Sequence, residues 1–231
     1  SNFLHFLFQP LLRVLSNLTL KKAKAVVVIN QHTKNILIKN GINPKKIYVI
    51  PPGVDLKKFK YVPFRSKNKE KMELLVVCYL LKRKGVDLII KAIKKVITKN
   101  NKIILRIVGD GPQKENLEDL VKKLNLEDYI IFEGFVENLK IQDYYKKAHI
   151  FISMSRAESW GQMYLEAMAS KLPIITTKNI GSVEIIKDGE SGYLIEQADI
   201  ESLAEKIIFL IENPEQIIFL GENAYRKVKR K

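Results

Sequence analysis

Ser153 to Thr177 reads SMSRAESWGQMYLEAMASKLPIITT. It leaves an apolar run ending Ile150-Phe151-Ile152, passes through a polar loop, enters a helical stretch Gly161 to Ser170, and returns to a second apolar run, Pro173 to Thr177. A loop that opens directly into a helix between two strands leaves the first backbone N–H groups of that helix without intrahelical partners. With the helix dipole, these groups favour an anion there by about 0.3–1 kcal/mol at exposed sites. The stretch carries two carboxylates, Glu158 in the loop and Glu166 in the helix. Both are candidates for holding whatever is attached to a phosphate bound at the helix start. Dipole pairing for Glu158 and a surface salt bridge for Glu166 are the alternatives.

Outward from this stretch, short apolar runs alternate with helical periodicity. Strands are expected at Leu74–Tyr79, Ile103–Val108, Ile130–Phe132, His149–Ser153, Pro173–Thr177 and Gly192–Ile195. Helices are expected at Val86–Thr98, Pro112–Leu124, Leu139–Lys147, Gly161–Ser170, Val183–Lys187, Ile200–Glu212 and Glu215–Lys229. The alternation predicts an α/β fold: a Rossmann-like parallel sheet with helices on both faces, whose ligands sit beyond the carboxyl ends of the strands.

Upstream, Ala25–Ile29 (AVVVI) reads as a strand covered on both faces, followed by a helix at Gln31–Lys39 and a strand at Lys46–Ile50. Pro51-Pro52-Gly53 then turns the chain, and the Lys-rich stretch Lys57 to Lys71 reads as a linker. The organisation expected is residues 1–56 as the tail of an incomplete amino-terminal domain, 57–72 as linker and 73–231 as a ligand-binding domain. Residues 3–20 read as a helix kinked or begun at Pro10 and apolar on nearly all sides. They either pack on another domain or lie on a membrane surface, next to Lys21, Lys22 and Lys24.

Forty Lys and Arg against twenty-five Asp and Glu give a net charge of +15. That excess draws anionic partners, such as nucleotides, nucleic acid or an anionic membrane surface. The basic residues are spread along the chain with no Arg-rich arm or zinc-finger spacing, so nucleic acid is not the expected partner. Cys78 is a single cysteine, which excludes an internal disulfide and suits a reducing compartment. His5, His32 and His149 lie in separate segments without ligand spacing, so no metal site is expected and each reads as structural. No uncharged apolar run reaches the roughly 18 residues a membrane-spanning helix needs. A cytoplasmic location, at the inner membrane surface if residues 3–20 lie on lipid, follows as the expectation.

Further turns fall at the carboxyl ends of the expected strands. Lys84-Gly85 places a cation at the edge of the same crevice, where it could neutralise a diphosphate, although the chain has many other lysines. Val108-Gly109-Asp110-Gly111-Pro112 ends a strand and opens a helix without the full dinucleotide fingerprint, since position 114 is Lys. Gly134-Phe135-Val136 is a similar turn, whose backbone can read the edge of a base.

These segments resemble a family. From Tyr48 onward the chain is similar to the carboxyl-terminal, donor-binding domain of the retaining GT-B glycosyltransferases of family four. The resemblance rests on Ile50-Pro51-Pro52-Gly53-Val54-Asp55 with Phe59, Lys84-Gly85-Val86-Asp87, the Val108–Pro112 and Phe132–Val136 turns, Glu158, Gly161 through Glu166-Ala167-Met168-Ala169, Pro173, Gly181 with Glu184, and Asp188-Gly189 with Gly192. It implies transfer of a sugar from a nucleotide diphosphate sugar, as substrate and without a further cofactor or metal, with retention at the anomeric carbon. It gives Glu158 to the transferred sugar, Glu166 to the ribose hydroxyls, the backbone at Gly161, Gln162 and Met163 to the distal phosphate, Lys84 to the diphosphate and the main chain near Val136 to the base. Gly109 falls among the donor-binding turns. The acceptor, lipid-linked or glycan, is not specified. The sequence departs from the family at Cys78-Tyr79, where Gly-Arg is usual, so a second phosphate cation is missing there and Lys82 or Arg83 would have to substitute. The acceptor half of the family's fold is represented by its last elements alone. A donor-binding chain without an acceptor half is therefore expected to be inactive by itself, and a non-catalytic nucleotide-sugar or partner-binding module is the alternative.

Overall fold

The computed structural model describes residues 14–63 and 70–229, which separate into two compact units, Ser1–Pro52 and Gly53–Lys231. The expected kink at Pro10 and residues 64–69 of the stretch read as linker lie outside the described residues.

In the first unit, residues 14–22 are helical (α1) and precede β1 (Val26–Val28), α2 (Gln31–Lys39) and β2 (Ile47–Val49). The strands run parallel, with Val26 beside Ile47 and Val28 beside Val49. Asn30 caps α2 by accepting the Thr33 N–H at 2.7 Å. Lys46 Nζ donates to the carbonyls of Lys21 and Ala23 at 2.6 and 2.9 Å, satisfying acceptors at the end of α1. Val26, Val28, Ile42 and Ile47 are buried against Leu20, Leu37 and Ile38. The expected two-sided cover of the first strand is not found among the described residues. Val27 and its register partner Tyr48 are 61% and 53% exposed, because the described helices cover one face of the strand pair.

The second unit holds the sheet. Its elements in chain order are β3 (Met72–Val77), α3 (Val86–Lys99), β4 (Ile103–Val108), α4 (Lys114–Lys123), β5 (Ile130–Gly134), α5 (Ile141–Lys147) and β6 (Ile150–Ser153). They continue through α6 (Gln162–Ala169), β7 (Ile174–Thr177), α7 (Ile180–Ile185), β8 (Gly192–Ile195), α8 (Ile200–Glu212) and α9 (Pro214–Lys229). The strands are parallel in the order β5-β4-β3-β6-β7-β8. On one face Leu74, Ile89, Ile93, Leu105, Leu203 and Ile207 form a core with α3, α4 and α8. On the other, Leu75, Tyr145, Phe151, Tyr164, Met168 and Ala224 join α5, α6 and α9. Each fully buried Leu, Ile or Phe contributes about 1.5–3 kcal/mol. Phe59, in the stretch read as linker, is buried in this second core.

Most bounds differ from expectation by one to three residues, and two of them do so for reasons of hydrogen bonding. The chain after Val77 leaves the regular ladder, and the Leu80 N–H pairs with Asp110 O at 2.8 Å while Leu80 O accepts from Gln113 N at 3.0 Å. The helix expected from Val183 begins at Ile180, because Asn179 and Ser182 form a capping box at its start. His149 is buried, and its Nδ1 accepts the Glu73 N–H at 3.0 Å, a structural role. Arg106 on β4 is held by Glu73 at 2.9 Å and by Glu133 at 2.5 Å from the two flanking strands.

Candidate active site

The strand order reverses between β3 and β6, so the chain leaves these neighbours toward opposite sides of the sheet and opens a crevice at their carboxyl ends. The two loops at that point, residues 78–85 and 154–161, meet directly. A Cβ on Gly85 would lie 2.2 Å from the Met154 carbonyl oxygen, and Gly85 has a φ of +67°, so a side chain is excluded by both contact and conformation. The Arg156 N–H donates to Arg83 O at 2.8 Å, and Arg83 Nη1 donates to Ala157 O at 3.2 Å. Arg83 is thus committed to the loop backbone, and Lys82 is exposed.

Across this junction Lys84 Nζ donates to Glu158 Oε2 at 2.6 Å, with 13% and 17% of the two side chains exposed. The pair sits next to the start of α6. Gly161 at φ +86° is the N-cap of that helix and supplies no side-chain acceptor. A Cβ there would stand 2.4 Å from the ring of Tyr164. The first turn of α6 is therefore opened by glycine without a side-chain cap, as is that of α3 at Gly85. Gln162 turns its Nε2 to Gly53 O at 2.9 Å, and Met163 packs partly buried on the second core.

Glu166 lies one turn further along α6. Its Oε2 accepts the phenol of Tyr145 at 2.7 Å, and burial raises its carboxyl above the ordinary range while Tyr145 and Lys58 pull it back. Among the described residues it makes no surface salt bridge of the kind considered above. Tyr145 escaped the sequence reading because it sits in a short polar helix, 21 residues from its partner. The signal available was its fixed place just ahead of the buried β6. Cys78, at the end of β3, is pushed by burial to about 11 despite Lys84, so it remains a thiol.

The structure thus brings Lys84 and Glu158 together beside the start of α6, which holds Gly161, Gln162 and Met163, with Glu166 one turn further along the helix. Gly109 and Val136 stand at the carboxyl ends of the neighbouring β4 and β5. Gly109 donates to Gly134 O at 2.8 Å, and its turn also packs on the loop that carries Lys84, where a Cβ on Gly109 would lie 1.8 Å from Cys78 O. Val136 rests partly buried on the second core. A separate cavity of about 300 Å³ lies between β4, β5 and α5, lined by Arg106, Glu133, Lys140, Asp143, Tyr144 and Lys147. Its strand-borne charges neutralise one another. Among the described residues no group of three His, Cys, Asp or Glu is arranged for a metal, and no helix is long and apolar enough to cross a membrane.

The family model for glycosyl transferases group 1 matches residues 58–227, and that for glycosyltransferase family 4 matches residues 1–58. The alpha-monoglucosyldiacylglycerol synthase of Acholeplasma laidlawii is 28% identical over 96% of this chain, which spans 61% of that relative's length. The solved C-terminal domain of a glycosyl transferase group 1 family protein from Francisella tularensis is 29% identical, with a TM-score of 0.70 over 78% of this chain and 98% of its own. Anabaena HepE, solved with UDP, shares the fold at a TM-score of 0.85 and 22% identity, over 95% of this chain and 62% of that one. Parallel strand order, the uncapped helix start at the switch point and these matches agree on the GT-B architecture. The chain belongs to the glycosyl transferases group 1 family.

Proposed function

We propose that this chain binds a nucleotide diphosphate sugar and, at the length of its relatives, transfers the sugar to an acceptor with retention at the anomeric carbon. The observation that carries the reading is the Lys84–Glu158 pair beside the uncapped start of α6, where the strand order reverses. The N–H groups at Gly161, Gln162 and Met163 hold the distal phosphate, and Lys84 shares its charge between Glu158 and the diphosphate. As the bond from the anomeric carbon to the leaving phosphate oxygen lengthens, negative charge grows on the diphosphate. Preorganised N–H groups and a mostly buried ammonium stabilise that charge without reorganisation. Glu158 meets the transferred sugar, Glu166 accepts from the ribose hydroxyls, and the turns at Gly109 and Val136 border the base. The donor is the substrate of this reaction, and the incoming hydroxyl approaches from the face the diphosphate leaves.

Uridine donors are the first to test, because solved relatives of this fold carry UDP or UDP-glucose. Calorimetry of the chain with UDP-glucose, GDP-mannose and their diphosphates is expected to show binding of one pair. Absence of binding to every donor, together with salt-sensitive RNA or DNA binding, would overturn the reading. In a protein of the relatives' length, Glu158→Ala is expected to abolish turnover and leave diphosphate binding within a few-fold. Turnover surviving that change would remove Glu158 from its role. A non-catalytic binding module is the second reading, favoured by Tyr79, which stands 60% exposed where the family resemblance calls for a second cation. Donor binding with no transfer at full length would establish it.

For the acceptor, the Acholeplasma relative's diacylglycerol name and α1 support a lipid-linked molecule at the cytoplasmic membrane surface. Val14, Leu15 and Leu18 are each more than half exposed on α1, next to the exposed Lys21, Lys22 and Lys24. Equal partitioning onto vesicles with and without anionic lipid would remove this location.

A further inference from the structure

We propose that Tyr145 is a positioning residue for nucleotide binding: its phenol fixes one oxygen of Glu166 and leaves the other to accept from the donor. The inference deepens the donor-site reading above and rests on it. The geometry is specific. Tyr145 is fully buried, and its hydroxyl donates to Glu166 Oε2 at 2.7 Å. The ring cannot swing away, because it stacks on Phe151 at 5.8 Å between centroids and 16° between planes, and meets Phe59 edge-on at 5.4 Å and 87°. Those contacts come from β6 and from the segment after Gly53, so two elements outside α5 determine where the phenol points. The neighbouring Tyr144 donates to Glu133 Oε2 at 3.1 Å instead, which leaves Tyr145 the tyrosine of α5 that faces the site.

A carboxylate with one anchored oxygen presents the other in a fixed direction. Its ordering entropy is lost on folding, before a ligand arrives, which raises affinity by preorganisation. The groups facing Glu166 are the Tyr145 phenol and the Lys58 ammonium, both favouring the ionised form against the effect of burial. Loss of the phenol therefore moves Glu166 further upward, and the acid side of nucleotide binding, where Glu166 takes up a proton and can no longer accept two donors, moves to higher pH.

The test is Tyr145→Phe, which keeps the ring packing and removes the hydroxyl. The expected result is a loss of uridine diphosphate affinity of about tenfold, from a hydrogen bond to a charged group. The acid limb of binding is expected to move upward in pH, and the thermal midpoint to fall by a few degrees because the desolvated carboxylate loses its donor. In a Glu166→Gln background the same change is expected to have no further effect on affinity. A ¹³C titration of the Glu166 carboxyl in wild type and Tyr145→Phe reads the anchoring without ligand and is expected to shift upward in the variant. An unchanged carboxyl titration, or unchanged affinity and acid limb in a protein that binds the diphosphate, overturns the inference. A wild type that shows the carboxyl shift but binds no diphosphate of any base overturns the donor-site reading, and the functional part of the inference falls with it.

Discussion

Two helices of the same sheet, α6 and α7, follow consecutive strands and begin in opposite ways. At α7 the Asn179 side chain accepts from Ser182 N at 2.9 Å, and Ser182 Oγ accepts from Asn179 N at 2.9 Å, so the helix start closes on itself. At α6 a glycine in the left-handed region stands where a cap would be, and the nearest charged side chains pair with each other instead. The closed start stabilises the fold. The open one, with glycine at its N-cap, forgoes about 0.3 kcal/mol of capping and keeps its N–H groups available. The proposed donor phosphate would sit at the open start, and each substitution below either breaks that contrast or sharpens it.

The largest effect is expected at the open start itself. Gly161→Ala combines a positive φ with a Cβ 2.4 Å from the buried Tyr164 ring. A loss of about 3 kcal/mol in urea unfolding is expected, with loss of diphosphate binding by calorimetry. Wild-type stability in that variant would mean the left-handed glycine is not what holds α6 open. Next comes Lys84→Met, which leaves a mostly buried Glu158 without its cation. A cost of about 2 kcal/mol is expected, below the figure for a fully buried pair because water still reaches both groups, with diphosphate affinity down more than about tenfold. At the closed start, Ser182→Ala is expected to cost about 1 kcal/mol in the same unfolding experiment while leaving diphosphate affinity unchanged. A parallel loss of affinity would show that the two starts act together.

The smallest effect is expected at a third start, α8. There Asp199 accepts from Ser202 N at 2.9 Å and from the Ser202 hydroxyl at 2.6 Å, which holds its carboxyl below the ordinary range. A depressed acid contributes stability above its unfolded pKa and loses it as pH falls through its folded one. Asp199→Asn keeps the acceptor and drops the charge. It should cost less than about 0.5 kcal/mol at neutral pH after solvent screening, and the difference from wild type should vanish in acid.

Much of this was legible from residues alone. The parallel strands showed themselves as short apolar runs, with β4 and β8 and the helices α2 and α8 at the expected bounds, because burial on both faces leaves little room for polar residues. The start of α7 was misplaced although Asn179 and Ser182 carry a capping signature, since the apolar periodicity around Val183 outweighed it. The exposure of Val27 was invisible, because apolar runs report what a strand can bury and not what covers it. At the site, the glycine-opened helix and the two glutamates were readable in order. Lys84 was one basic residue among forty until the fold placed it against Glu158. Tyr145 offered only its place just ahead of β6, for its partner is brought near by the packing of α5 and α6 on one face.

The approach of Gly85 to the Met154 carbonyl bears on how such a protein can be recombined. The loops after β3 and β6 are separated in the chain by three helices and three strands, yet their backbones interlock at a distance that admits no Cβ. A chimera that imports residues 154–161 from a relative while retaining residues 78–85 joins halves shaped for different partners. One that imports both segments together carries the junction intact. The junction at the carboxyl ends of β3 and β6 is therefore inherited as a pair of distant segments, and shuffling at any crossover between them separates what the fold requires to travel together.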